Sequence, residues 1–217
     1  MVTSLFKKVL AILLLLIVLW IWYFHYNDNV NQSICYNDIK WKTGDLMLFR
    51  GNDNIYPIFF GNTFSHVGIV YIDSYNVPRL LEACNTKKFV GVSNRTIHDV
   101  INTYNGTLYF KQLIYPIDSS YEQEFEHFAN FSCENFQYEK RIIYSTLMNY
   151  LTNTPIQRNL NCGELSFLSL IKLGLIDLSQ YKNAIKLHYL KYITYITKVK
   201  DNEYSDTIVK ITNIATP

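Results

Sequence analysis

The sequence predicts an α+β domain carried behind an N-terminal membrane anchor. Three observations predict it: an uncharged apolar run over residues 9–24, five short strand-like stretches in the first half of the remaining chain, and helical periodicity confined to its second half. The 217 residues suffice for one ordinary domain plus an appendage. With 49% hydrophobic and 16% aromatic residues the chain has the material for a buried core, which excludes intrinsic disorder. The net charge is +2, and no basic run exceeds Lys7-Lys8 or Lys87-Lys88, so no nucleic-acid partner is expected.

The first element is the anchor, residues 1–26. Adding Leu5-Phe6 to the apolar run across the two lysines gives about the 20 residues that a bilayer requires. A cleaved signal peptide needs a small-residue site after its apolar region, whereas here Trp20, Trp22, Tyr23 and Phe24 follow, rings suited to an interfacial belt. Lys7 and Lys8 precede the span and Asp28 follows it, which places the N-terminus in the cytosol and the domain across the membrane. A lipid bilayer holding residues 5–26 is thus the first expected partner. Sequons at Asn31, Asn94, Asn105 and Asn130 are about as frequent as chance allows in so Asn-rich a chain and decide nothing.

Residues 27–40 are polar and turn-rich and read as a linker to a domain over residues 41–180. Strands are expected at residues 45–49, 66–72, 79–83, 89–92 and 107–113, each rich in branched and aromatic side chains. Helices come next. Tyr121, Phe125, Phe128 and Ala129 recur at helical spacing behind Asp118-Ser119-Ser120; a second pattern covers residues 141–151; a third covers residues 162–173 and stops at Gly174. Residues 181–217 form an extension of unassigned role.

The chemistry gathers at three residues. Asn161-Cys162-Gly163-Glu164 reads as a capping box, which sets Cys162 on a first helical turn, where unpaired N–H groups favour an anion such as a thiolate. A nucleophilic thiol needs a base, and of the five histidines His66 has the informative setting, at the start of a strand. Glu82 is a carboxylate set in an apolar strand and should have a partner. If residues 66–72 and 76–82 form a hairpin centred on Ser74, His66 and Glu82 lie directly opposite on one face; a centre half a residue away puts Glu82 on the other face, and the sequence allows both. Cys84, two residues on, shares the face of Glu82. The absence of paired C-x-x-C or H-x-x-x-H spacing argues against zinc, and no metal or other cofactor is expected.

Gly44-Asp45-Leu46, Ser65-His66-Val67-Gly68-Ile69, Glu82 and Asn161-Cys162-Gly163-Glu164 occur in an order that resembles the circularly permuted branch of the NlpC/P60 papain-like superfamily. The likeness is greatest to its YiiX-like and poxvirus members and weaker to lecithin:retinol acyltransferase. It spans residues 41–176. The resemblance implies a permuted papain-like fold, an antiparallel sheet or small barrel on helices, in which His precedes Cys along the chain. It implies Cys162 as nucleophile, His66 as base and Glu82 as the group orienting the imidazole. The implied function is a membrane-anchored thiol hydrolase or acyltransferase. Its substrate would be a peptide, a peptidoglycan-like amide or an acyl lipid, in a virion or host membrane. The alternative is a silent membrane-anchored structural or adaptor protein of a large DNA virus.

Overall fold

The computed structural model describes residues 6, 9–16, 32–51, 64–85, 89–138, 159–176, 198–199 and 202–212. Its strands are β1 (Ser33–Cys35), β2 (Leu46–Gly51), β3 (His66–Ile72), β4 (Pro78–Asn85), β5 (Val90–Thr96), β6 (Gly106–Lys111), β7 (Gln137–Tyr138), β8 (Asn159–Leu160), β9 (Lys198–Val199), β10 (Asn202–Glu203) and β11 (Val209–Thr212). Its helices are α1 (Ile97–Thr103), α2 (Ser119–Asn135) and α3 (Cys162–Lys172). Seven strands form one sheet in the order β1-β11-β6-β2-β3-β4-β5, with β7–β8 and β9–β10 as separate short pairs. The class is α+β, as expected, but the sheet is mixed rather than antiparallel throughout, because β1 and β11 run parallel.

Each of these three helices begins on a side-chain cap. Thr96 accepts from the Asp99 amide at 3.1 Å, Asp118 from Ser120 at 2.8 Å, and Asn161 from Glu164 at 2.9 Å. Helix α3 ends in a Schellman turn, Gly174 donating to the Ile171 carbonyl and Leu175 to that of Leu170, both at 2.9 Å. Gly174 takes φ of +68°, which an L side chain adopts only under strain.

The strands alternate, so the sheet buries both faces. On one, Leu46, Leu48, Val67, Ile69 and Leu81 meet Phe125 and Ala129 of α2 and Leu165 and Leu170 of α3. On the other, Met47, Phe49, Val70, Leu80 and Phe110 meet Ile97, Val100 and Ile101 of α1 together with Ile39.

Two sequence readings change. Residues 33–35, in the expected linker, form an edge strand, because Ile34 aligns with Ile211 and Thr212 donates its hydroxyl proton to the Ile34 carbonyl at 3.0 Å. The extension of unassigned role supplies the neighbouring strand β11, and Tyr204 just before it buries its ring and donates to the Gly44 carbonyl at 2.6 Å. Within the expected anchor, residues 9–16 are helical with exposed apolar side chains. Among the described residues no helix is long and apolar enough to cross a membrane. The rest of the anchor segment and the helical pattern at 141–151 lie outside the described residues.

Candidate active site

The turn between β3 and β4 sets the register on which the site depends. Asp73 organises it: one carboxylate oxygen accepts the amides of Tyr75 at 2.9 Å and Val77 at 2.8 Å, and the other accepts Arg79 Nε at 2.6 Å. Asn76 turns the corner at φ of +59°. The resulting pairs, Ile69 with Leu81 through Ile72 with Pro78, are centred on Tyr75 rather than on Ser74. The shift is one whole residue, which changes the pairing by two positions and so keeps His66 and Glu82 on the same face. They are diagonal neighbours instead of direct opposites. By continuation of the register, Glu82 faces Gly68, where an added Cβ would come within 2.8 Å of the Leu80 side chain.

The β3–β4 ladder stops at Ile69 and Leu81. Beyond it β3 continues against β2, with His66 opposite Phe49, while β4 continues against β5 as far as Asn85. At this end of the paired stretch, Nε2–H of His66 donates to Glu82 Oε2 at 2.7 Å. The thiol of Cys162, on the first turn of α3, is a second side-chain hydrogen-bond partner of this imidazole. The expected capping box is present in both halves, the Asn161 amide donating to Glu164 Oε2 at 2.9 Å and the Glu164 amide to Asn161 Oδ1 at 2.9 Å. It fixes the turn that carries Cys162. The thiol is buried at 5% exposure, and the imidazole keeps 19%.

Glu82, 2% exposed, has the partner its burial demands, and a second besides. Its Oε1 accepts from Arg95 Nε at 3.2 Å and Nη2 at 2.5 Å. Burial alone would raise this carboxyl, but the hydrogen bonds and charges of His66 and Arg95 hold it below its ordinary value. For His66, burial pulls the imidazole down, and the charge and hydrogen bond of Cys162, followed by those of Glu82, reverse this and raise it to about 10. Cys84 lies on the same face, its thiol pushed up to about 12 by burial first and by the Glu82 charge second.

Aromatic rings wall the imidazole. Phe49 meets His66 edge-on with centroids 4.7 Å apart, and Tyr104 meets Phe49 at 5.0 Å and 87°. The Tyr104 hydroxyl is hydrogen-bonded with Ser65, whose own hydroxyl donates to the Phe49 carbonyl at 3.2 Å. Arg95, Phe49 and Tyr104 were not singled out in the sequence. The strand reading ended at Val92, so Arg95 fell outside it, although alternation along β5 sets Arg95 on the face of Glu82.

The remaining candidates separate from this site. His98 is on the exposed side of α1, within 2.9 Å of the Asn102 amide nitrogen, and His127 is on α2. His25 and His188 lie outside the described residues. All four cysteines are free thiols. Among the described residues no group of three His, Cys, Asp or Glu side chains is placed to hold a metal ion. The Gly44-Asp45 motif is structural here: Asp45, fully buried, accepts the amides of Lys42 at 2.9 Å and Leu113 at 2.8 Å.

No protein-family model matches the chain, and no curated protein matches it. Among solved structures it is similar to the metalloprotein YiiX (DUF1105) of Escherichia coli O157:H7, at 13% identity and a TM-score of 0.46, over 79% of this chain and 96% of that one. A likeness of this strength assigns neither family nor activity.

Proposed function

We propose that the chain is a thiol hydrolase or acyltransferase of permuted papain-like type, with Cys162 as nucleophile, His66 as base and Glu82 as the residue that orients the imidazole. One observation carries the reading: a thiol on the first turn of a helix hydrogen-bonds an imidazole whose other nitrogen is fixed by a buried carboxylate.

The chemistry follows from these positions. The thiol gives its proton to Nδ1 of His66, and the thiolate sulfur attacks an amide or ester carbonyl. The Cys162 amide has no intrahelical carbonyl to bond by virtue of its position, so it is free to receive the developing oxyanion. The imidazolium then protonates the departing amine or alcohol, leaving a thioester on Cys162. Water or a second acceptor, deprotonated by His66, releases the acyl group and regenerates the thiol. Glu82 keeps Nε2 protonated and stabilises the imidazolium throughout. Peptides, peptidoglycan-like amides and acyl lipids all present the bond this chemistry needs.

The anchor remains part of the proposal. The apolar side chains of helical residues 9–16 stand exposed, and a bilayer would cover them. The N-terminus would then be cytosolic and the domain on the far side. Carbonate extraction with N-terminal sequencing tests this: an intact, membrane-retained chain is expected, and a mature chain beginning near Asn27 and released by carbonate would overturn it.

For the catalytic reading, the full-length protein in detergent is treated with sub-stoichiometric iodoacetamide and digested, and the cysteine peptides are quantified. Selective alkylation at Cys162, abolished in His66→Ala, is expected. Equal labelling of Cys35, Cys133 and Cys162, unchanged in His66→Ala, would favour a silent anchored protein instead.

A further inference from the structure

We infer that Arg95 is a positioning residue of this site, acting through Glu82 to set the orientation and ionisation of His66. The inference rests on the proposed function, and deepens it by one residue.

Glu82 has two carboxylate oxygens and they are divided between two partners. Oε2 faces His66, while Oε1 takes both Nε and Nη2 of Arg95. A buried carboxylate held only through Oε2 would be free to turn about that contact and would leave Oε1 without a donor. Two N–H groups of a planar guanidinium on the second oxygen remove that freedom. Arg95 is itself held from α1, its Nη1 donating to the Thr103 hydroxyl at 3.4 Å. Its side chain is 39% exposed, so the guanidinium keeps part of its hydration while serving a carboxylate that has none. The arrangement is a row running from the Arg95 guanidinium at the surface through the Glu82 carboxylate to His66, with the Cys162 thiol at its far end. The groups facing Glu82 are His66 from β3, Cys84 from β4 itself, Arg95 from β5 and Tyr104 after α1, and Cys162 from α3 faces His66. Of these Arg95 is the one whose cationic charge does not depend on the reaction.

Coulomb's law then gives a sign. Removing the cation leaves Glu82 less compensated, so the imidazolium is held more tightly and its titration moves to higher pH; removing the anion moves it to lower pH. A residue serving only the fold would lower the melting temperature and leave the titration in place.

The experiment uses the full chain in detergent micelles, with the His66 ring-proton NMR signal followed against pH in the wild type, Arg95→Gln, Glu82→Gln and Cys162→Ala, and with iodoacetamide alkylation of Cys162 read alongside. Arg95→Gln is expected to raise the His66 midpoint by about half a pH unit or more, opposite in sign to Glu82→Gln. Arg95→Lys, which keeps the charge but loses the fork, is expected to leave the midpoint in place and slow alkylation several-fold. If Glu82→Gln and Cys162→Ala move the midpoint while Arg95→Gln does not, the inference about Arg95 is overturned and the catalytic reading stands. If Cys162→Ala leaves the midpoint unmoved, the thiol–imidazole pair itself is wrong. Should Arg95→Gln fail to fold, the Arg95 Nε–H signal of the wild type decides: it must titrate with the His66 midpoint, and a signal flat across that range overturns the inference.

Discussion

Glu82 and Asp45 are both carboxylates withdrawn from water, and they respond in opposite ways. Asp45 is fully buried and bonded by two backbone amides, with Lys42 as a nearby charge; burial outweighs these and raises its carboxyl to about 7. Glu82 is almost as deep, but a guanidinium and an imidazole contact it directly, and it stays below its ordinary value. Amide dipoles satisfy a carboxylate's geometry without cancelling its charge, whereas cations do both. The first arrangement suits a structural clasp that joins the start of β2 to the end of β6. The second suits a group whose negative charge is put to use.

The largest expected contrast follows from that division of labour. Glu82→Gln should lower kcat/KM for acyl transfer by about 100-fold to 10,000-fold while the melting temperature changes little. Asp45→Ala should do the reverse: it orphans the amides of Lys42 and Leu113 at a cost of about 2–4 kcal/mol, read by urea denaturation, with the alkylation rate of Cys162 preserved. A Glu82→Gln variant that unfolds would make Glu82 a structural ion-pair member and end its assignment to His66.

A smaller contrast lies in the pH dependence of stability. Asp45 titrates near 3.8 unfolded and about 7 folded, so the folded state binds the extra proton between these values and the stability it contributes falls as pH rises through that window. Glu82 is shifted down from 4.5, so its contribution is present above about 4.5 and lost as pH falls below it. His66, raised from 6.5 to about 10, contributes fully below 6.5 and loses its contribution across that alkaline range. Denaturation between pH 4 and 7 should therefore show a decline in the wild type that Asp45→Asn flattens and Glu82→Gln leaves in place. A decline that persists in Asp45→Asn would refute the assignment to Asp45.

The smallest effects concern the ends of α3. Asn161→Ala removes one arm of the capping box and should cost about 1 kcal/mol, together with a measurable change in Cys162 alkylation because the turn bearing the thiol loosens. Gly174→Ala should cost a similar amount with no such change, since the left-handed residue sits at the far end of the helix and its Cβ would press the Tyr121 ring at 3.1 Å. Equal alkylation rates in the two variants would show that the cap does not hold the thiol.

Most of the candidate site was legible because its signals are local. A cap residue, a thiol and a glutamate three positions on define a helix start within four residues, and His66 opens its strand at the expected position. The hairpin register was not resolved because it depends on whether Asp73 spends its side chain on the turn amides, a choice made by geometry rather than by composition. Arg95 was missed for a related reason: Ser93-Asn94-Arg95 looks like the polar end of a strand until Glu82 supplies the charge that draws the guanidinium in. The pairing of β1 with β11 joins residues nearly the whole chain apart through three-residue contacts, and no local pattern announces it.

The position of β11 also bears on when the domain can form. It lies between β1 and β6, so the first strand of the sheet has no neighbour, and the sixth keeps one open edge, until residue 212 has left the ribosome. Strands β2 to β6 can associate as they are made, but β1 cannot join the sheet before β11 has been made. A nascent chain stopped short of Val209 would present the edge of β6 bare, with Ile34 unmatched, the kind of unpaired strand that recruits copies of itself.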